Sequence, residues 1–461
     1  MELKYSYIIP HPPLIIPRVG RGQELQIQNT VDSINKIAKE IADIKPDTII
    51  ITSPHSIVYS DYFHISPGKC AEGSFASFGA PDVKIKTEYD EEFIKNLSDE
   101  AKHSGVYAGT MGQRDKNLDH ATMIPLYFIN KYYTDYKTVR IGISGQSLTE
   151  HYKLGKCIKY AAEKSDKNIV LIASGDMSHK LTHDGPYGFA QEGVNFDKQL
   201  NEAIVQSDFM KFLMFEEDFL SLAAECGLRS FVIMAGAFDK VKVKSDLLSY
   251  EGPFGVGYTV ASFEAEGKDE SRNFYEQFIN ADIIRREEIK NNEDEYVRLA
   301  RETLETYINE GKIISTPDNL PGEMTENKAG VFVSLKKNKI LRGCIGTIMP
   351  TRENIASEII HNAISAGVED PRFEPIRKDE LDELEYSVDV LGEAESINLK
   401  DELDVYKYGV IVTHKGRKGL LLPNLEGVDS VDYQISIALQ KAGIRPNEPY
   451  EMQRFEVVRH K

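Results

Sequence analysis

The chain has 461 residues, too many for one ordinary hydrophobic core, so two or three domains are expected. With 41% hydrophobic and 28% charged residues it has the composition of a soluble globular protein, and a formal net charge of −18 argues against nucleic acid or an anionic membrane surface as partner, since both are held by basic patches. The start, Met1-Glu2-Leu3-Lys4-Tyr5, shows no basic segment followed by an apolar one, no stretch is long and apolar enough to span a bilayer, and Cys70, Cys157, Cys226 and Cys344 have no paired spacing, so free thiols in a reducing cytoplasm are expected.

In chain order, strand-like apolar runs occupy 5–9, 47–52, 138–144, 168–173 and 257–263. Between them lie helical patterns. Val31, Ile34, Ile37, Ala38, Ile41 and Ala42 recur at spacings of three and four, and 154–162 and 229–238 behave similarly. Strand–helix alternation over residues 1–265 predicts an α/β domain with a parallel or mixed sheet and helices on both faces. The charged segment 266–273 and a short connecting helix over 274–283 form an expected linker, 266–283. The second domain is placed at 284–461. There Asp294 is a candidate cap for a helix over 296–308. Strands are expected at 329–335, 340–346, 384–391, 409–413 and 418–422, and helices at 352–366 and 430–442. These strands are not regularly separated by helices, which predicts an α+β domain.

Four runs in the first half deliver a histidine: Tyr7-Ile8-Ile9-Pro10 leads to His11, 48–54 to His55, 169–178 to His179, and a weaker run before Asn117-Leu118-Asp119 to His120. Buried parallel strands read as continuous Val/Ile runs, and ligand sites in open α/β sheets lie beyond the carboxyl ends of the strands. A shared metal or acid/base centre is therefore expected. Two imidazoles and a carboxylate cover one face of a metal and leave the other open, which suits non-haem Fe(II). His11 and His55, stiffened by Pro10, Pro12 and Pro54, are ligand candidates. The carboxylate candidate is Glu225 in Leu222-Ala223-Ala224-Glu225-Cys226-Gly227, because an acid among small apolar neighbours is costly unless it meets a cation. The plainer alternative for Glu225 is an acid that caps a helix or holds a salt bridge. His183, four residues after His179, reads as a surface residue.

The segments Ile9-Pro10-His11-Pro12-Pro13, Thr52-Ser53-Pro54-His55, Phe75-Ala76-Ser77-Phe78-Gly79-Ala80-Pro81, Leu118-Asp119-His120-Ala121-Thr122, Ser174-Gly175-Asp176-Met177-Ser178-His179 and the Glu225 segment occur in the order seen in class III extradiol ring-cleavage dioxygenases. Over residues 3–264 the chain resembles the catalytic subunit of protocatechuate 4,5-dioxygenase. The resemblance implies iron ligands at His11, His55 and Glu225, an acid/base at His179, and at His120 a second histidine that hydrogen-bonds the substrate or oxygen side. Asp176 would orient His179 or a nearby turn. A small catecholic substrate and Fe(II) are implied, with zinc open because it takes the same ligand types. The related Memo-like proteins share the scaffold, have no settled ring-cleaving activity, and carry Cys at the carboxylate position. Glu225 beside Cys226 stands nearer the dioxygenase pattern.

Downstream, Leu341-Arg342-Gly343-Cys344-Ile345-Gly346-Thr347 is the strongest local motif. A cation beside a thiol would lower its pKa and favour the reactive thiolate, whereas a Cys on an apolar strand usually faces a core. The second outcome is expected. This motif, with 362–373, 384–391, Gly419-Leu420-Leu421-Leu422-Pro423 and Ala442-Gly443, resembles the AMMECR family over 284–461. One departure is 428–432, where relatives commonly carry an aromatic residue such as Trp. The resemblance implies a radical SAM protein as partner. Self-association as a homo-oligomer is left open.

Overall fold

The computed structural model describes residues 3–337, 340–425 and 427–461, which form two compact units, Met1–Ala281 and Asp282–Lys461. Met1 and Glu2, part of the leader-peptide reading, lie outside the described residues. No helix among the described residues is long and apolar enough to cross a membrane.

The first unit is built on a six-stranded sheet in the order Lys137–Gly142, Thr48–Ser53, Ile169–Ser174, Tyr5–Ile9, Tyr258–Lys268, Val241–Glu251. The first four strands are parallel and the last two antiparallel, which makes the sheet mixed. Thr48–Ser53 and Ile169–Ser174 are buried along their whole length, which is why they read as unbroken apolar runs. The helix Gln28–Ile44 buries Ile34, Ile37, Ala38 and Ile41 and packs on the antiparallel strands. The helices Leu148–Glu163 and Leu228–Ala237 cross with their backbones touching. A Cβ added at Gly155 would lie 2.0 Å from the Ile233 carbonyl oxygen, and one at Gly236 2.0 Å from that of Tyr152. The helix Leu228–Ala237 also packs on Ile169–Ser174, so its first turn lies near that strand's carboxyl end.

The expected linker over 266–283 is corrected by the structure. The last strand runs on to Lys268 because Gly267 and Lys268 pair with Lys242 and Val241. Arg272 donates to the Ser207 carbonyl (2.8 Å) and lies over the rings of Phe209 and Phe274. The connecting helix is longer than read, Phe274–Asn292, and only Phe274, Tyr275 and Phe278 pack on the first core.

The second unit has two antiparallel four-stranded sheets, ordered Ile340–Gly346, Val331–Lys337, Leu384–Leu391, Val457–His460 and Glu395–Ile397, Glu451–Phe455, Gly409–His414, Arg417–Leu421. The helices Glu295–Glu310 and Ile355–Val368 pack on the first sheet and Val431–Ala442 on the second, an α+β arrangement. Asp294 caps its helix, accepting from the N–H groups of Tyr296 and Val297. The Arg-Gly-Cys motif has a packing logic. Arg342 binds Glu380 and the Glu374 carbonyl, and at Gly343 a Cβ would lie 2.1 Å from the Ala366 carbonyl oxygen. Cys344 does not face a core as expected: it is half-buried and its sulfur accepts from the Ser334 hydroxyl at 3.3 Å.

Candidate metal centre

Three parallel strands end in the polypeptide that builds the site. His11 follows Tyr5–Ile9 and is 1% exposed. Its backbone N–H donates to Asp176 Oδ1 (2.7 Å), and Asp176 follows the adjacent strand Ile169–Ser174. The last residue of that strand fixes the His11 tautomer. Ser174 gives its single hydroxyl proton to the Ala121 carbonyl (2.8 Å), so at 3.1 Å it can only accept from His11 Nδ1–H. The lone pair is then on Nε2, which points towards Cys226 Sγ at 3.6 Å.

His55 follows Thr48–Ser53 and is exposed at the mouth of the site. Its N–H donates to Ser53 Oγ (3.2 Å), whose hydroxyl donates to Asp119 Oδ1 (2.6 Å). Asp119 also caps the helix His120–Ile129 and lies 3.6 Å from the buried guanidinium of Arg140. One carboxylate thus holds both the His55 turn and the helix end that carries His120. The ring centroids of His55 and His120 are 4.3 Å apart, those of His11 and His55 4.9 Å, and those of His11 and His120 5.3 Å.

Glu225 and Cys226 leave a tight turn in different directions. The helix Glu217–Ala223 ends at Ala224, a non-glycine residue in the left-handed region (φ 52°), and the next helix begins at Leu228. Glu225 turns to that helix. Its carboxylate accepts from the Leu228 N–H (2.7 Å) and lies 3.9 Å from Arg229, the capping and ion-pair role given above as its alternative. Cys226 turns into the site. Among the described residues, the ligand atoms of His11, His55 and Cys226 lie within 4.8 Å of one another, as do those of Asp176, His179 and Cys226. Glu225 is in neither group, and the thiol of Cys226 is in both. Asp176, expected to orient His179 or a nearby turn, accepts the backbone N–H of His11 at the turn that follows the first strand. His179 is half-buried; its Nε2 has no exposed surface and no hydrogen-bond partner, and its ring lies 5.2 Å from Tyr187. His183 is exposed, its ring against Phe189.

Burial dominates the electrostatics. It holds His11 well below its ordinary pKa, with help from His55, His120 and His179, and lowers His55 against the opposing pull of Asp119. It lowers His120 and His179 to about 4, each with a further contribution from His55. Burial raises Asp176 to about 7 and Glu225 to about 6, and pushes the Cys226 thiol up, with Asp176 and Glu225 adding to it. At neutral pH the four imidazoles are therefore neutral. A divalent cation reverses this logic for the thiol, because coordination deprotonates it.

The model of the catalytic LigB subunit of aromatic ring-opening dioxygenase matches residues 5–261, and the AMMECR1 model matches 297–460. The chain is 45% identical over 469 residues to the protein CA_C1420 of Clostridium acetobutylicum, covering 100% of both. It is 47% identical over 171 residues to a protein of Thermotoga maritima, covering 37% of this chain and 98% of that one. The crystal structure of the uncharacterized protein PH0010 from Pyrococcus horikoshii is similar at 33% identity with a TM-score of 0.34, covering 36% of this chain and 88% of that one.

Proposed function

This chain belongs to the family of the catalytic LigB subunit of aromatic ring-opening dioxygenases, with an AMMECR1 domain behind it, and from that premise we propose that its first unit is a metal-dependent oxidoreductase acting on a small catecholic molecule. The observation that carries this reading is the meeting of His11, His55 and Cys226, with His120 and His179 alongside, beyond the carboxyl ends of parallel strands. The donor set fits a first-row divalent metal: a free Nε2 on His11, a second imidazole, and a thiol whose buried proton a cation would displace. Fe(II), when bound, would supply a Lewis-acidic centre with open positions and the redox chemistry of ring opening.

The chain's own residues then do the following. Ser174 keeps the His11 proton on Nδ1, and Asp119 through Ser53 holds the His55 turn. His179, neutral at pH 7, takes the hydroxyl proton of the substrate on a ring nitrogen and returns it later. The negative charge of the bound diol raises His179 from its resting value of about 4 towards the range useful for that exchange. His120 donates or accepts at the opposite side of the substrate.

A second reading is favoured by Cys226. A His-His-Cys set departs from the two-His-one-carboxylate set of ring-opening chemistry and also suits zinc, so metal-dependent chemistry without oxygen on the same scaffold is its rival. Anaerobic loading with Fe(II) or Zn(II), followed by a catechol panel read by oxygen uptake and product absorbance, separates them. One Fe(II) per chain with oxygen-dependent turnover is expected, and His179→Ala should keep the metal and lose about 10²–10⁴-fold in rate. Absence of stoichiometric metal would overturn both readings; metal without oxygen uptake on any catechol would leave the rival.

A further inference from the structure

We infer that Tyr187 forms a wall of the substrate pocket and selects a planar phenolic ring over an aliphatic diol; this rests on the catechol reading above and names how the ring is recognised. Tyr187 sits on a strap that returns to its own base. The Ala190 N–H donates to the Lys180 carbonyl (3.0 Å), Leu181 bridges Phe189, and the Leu181 N–H donates to the Gly255 carbonyl (3.1 Å). Gly188, with φ +74°, bends the strap next to Tyr187. A compact loop closed at its base presents side chains without depending on the core.

The strap lays the Tyr187 ring against His179 at 5.2 Å between centroids and 30° between planes, yet Tyr187 is 60% exposed. Among the described residues the Tyr187 hydroxyl makes no hydrogen bond. An exposed aromatic ring set against an imidazole leaves flat apolar surface for a ligand ring to cover. Beside it, His179 Nε2 has neither solvent nor a partner, and a buried polar atom left unpaired is costly. One ligand answers both. A phenolic hydroxyl pairs with His179, and its ring lies offset on Tyr187, as aromatic pairs prefer. An aliphatic diol offers the hydroxyl without the flat face. Phe78, 5.4 Å from the His120 ring, gives the other proton-handling histidine an aromatic neighbour too, but Phe78 packs into the core and is not free to adapt to a ligand.

The chain contains no Trp, so Tyr187→Trp introduces a single indole that reports on this spot. The probe is 4-nitrocatechol, titrated anaerobically into the metal-loaded protein, with trans-1,2-cyclohexanediol as the non-planar comparison. Tyr187→Phe should bind 4-nitrocatechol like the wild type, Tyr187→Ala should weaken it about 3–10-fold, and the cyclohexanediol affinity should not change in either variant. Emission of Tyr187→Trp should be quenched as 4-nitrocatechol saturates, with thermal midpoints alike across the set. Wild-type affinity in Tyr187→Ala, or unaltered emission in Tyr187→Trp at saturation, would overturn the role of Tyr187 alone. A metal-loaded wild type that takes no 4-nitrocatechol would instead sink the catechol reading, and this inference with it.

Discussion

At position 226 a thiol stands 3.6 Å from His11 Nε2, while the carboxylate one residue earlier is held by a helix terminus and an arginine. The two side chains make separable predictions. Cys226→Ala removes a donor that would touch a bound ion; changing groups that only orient the ligands typically costs 10–100-fold in metal affinity, so a loss of at least about 100-fold is expected. Glu225→Gln should leave affinity within a few-fold and lower stability by about 0.3–1 kcal/mol, because the amide oxygen still accepts from the Leu228 N–H but the charge at the helix start is gone. Isothermal titration with Zn(II) and urea unfolding read the two effects separately. The reverse pattern, affinity lost in Glu225→Gln and kept in Cys226→Ala, would restore the carboxylate as ligand.

At the scale of elements, the site depends on how closely two helices approach. Leu228–Ala237 starts two residues after Cys226, and its contact with Leu148–Glu163 runs through Gly155 and Gly236. Gly155→Ala would gain about 1 kcal/mol of helix propensity. That gain is outweighed, because a Cβ 2.0 Å from the Ile233 carbonyl oxygen meets backbone, which cannot rotate aside. Overpacking costs about 1–3 kcal/mol, so a net loss of stability by urea unfolding is expected, together with weaker metal binding as the helix and Cys226 shift. Unchanged stability would mean that the helices separate freely. This dependence also explains what the sequence could and could not reveal. The strands ending before His11, His55 and His179 were legible because they are buried on both faces and read as continuous runs. Val241–Glu251 was not, since it lies at the sheet edge with alternating Lys and Val, and its pairing is what carries Tyr258–Lys268 past the expected boundary. All four of the histidines that the sequence singled out lie near Cys226 or near one another. Which of Glu225 and Cys226 faces them was not legible. It is decided by one left-handed residue, Ala224, whose conformation an alanine side chain does not announce.

At the scale of the whole chain, the cores decide what can stand alone. One hydrophobic cluster lies wholly within the first unit and three within the second, and among the described residues no cluster draws buried members from both. The helix Phe274–Asn292 buries no residue, and its later turns carry ion pairs of the second unit, Arg285 with Glu385 among them. The segment 266–273, charged as it is, is not a point of weakness, because strand pairing and Arg272 bind it to the first unit. Limited proteolysis should therefore spare 266–273 and cut within 279–292, where the backbone has no buried side chains to hold it. The fragment 1–281 keeps Phe274, Tyr275 and Phe278 against its core and every residue of the metal centre. It should fold alone, with one cooperative urea transition, and bind Zn(II) with the stoichiometry and affinity of the full chain. A fragment that folds but binds metal more than about tenfold weaker, a difference of roughly 1.4 kcal/mol, would show that the second unit completes the centre. Cleavage inside 266–273 ahead of the helix would show that the strand extension contributes nothing to the first unit's stability.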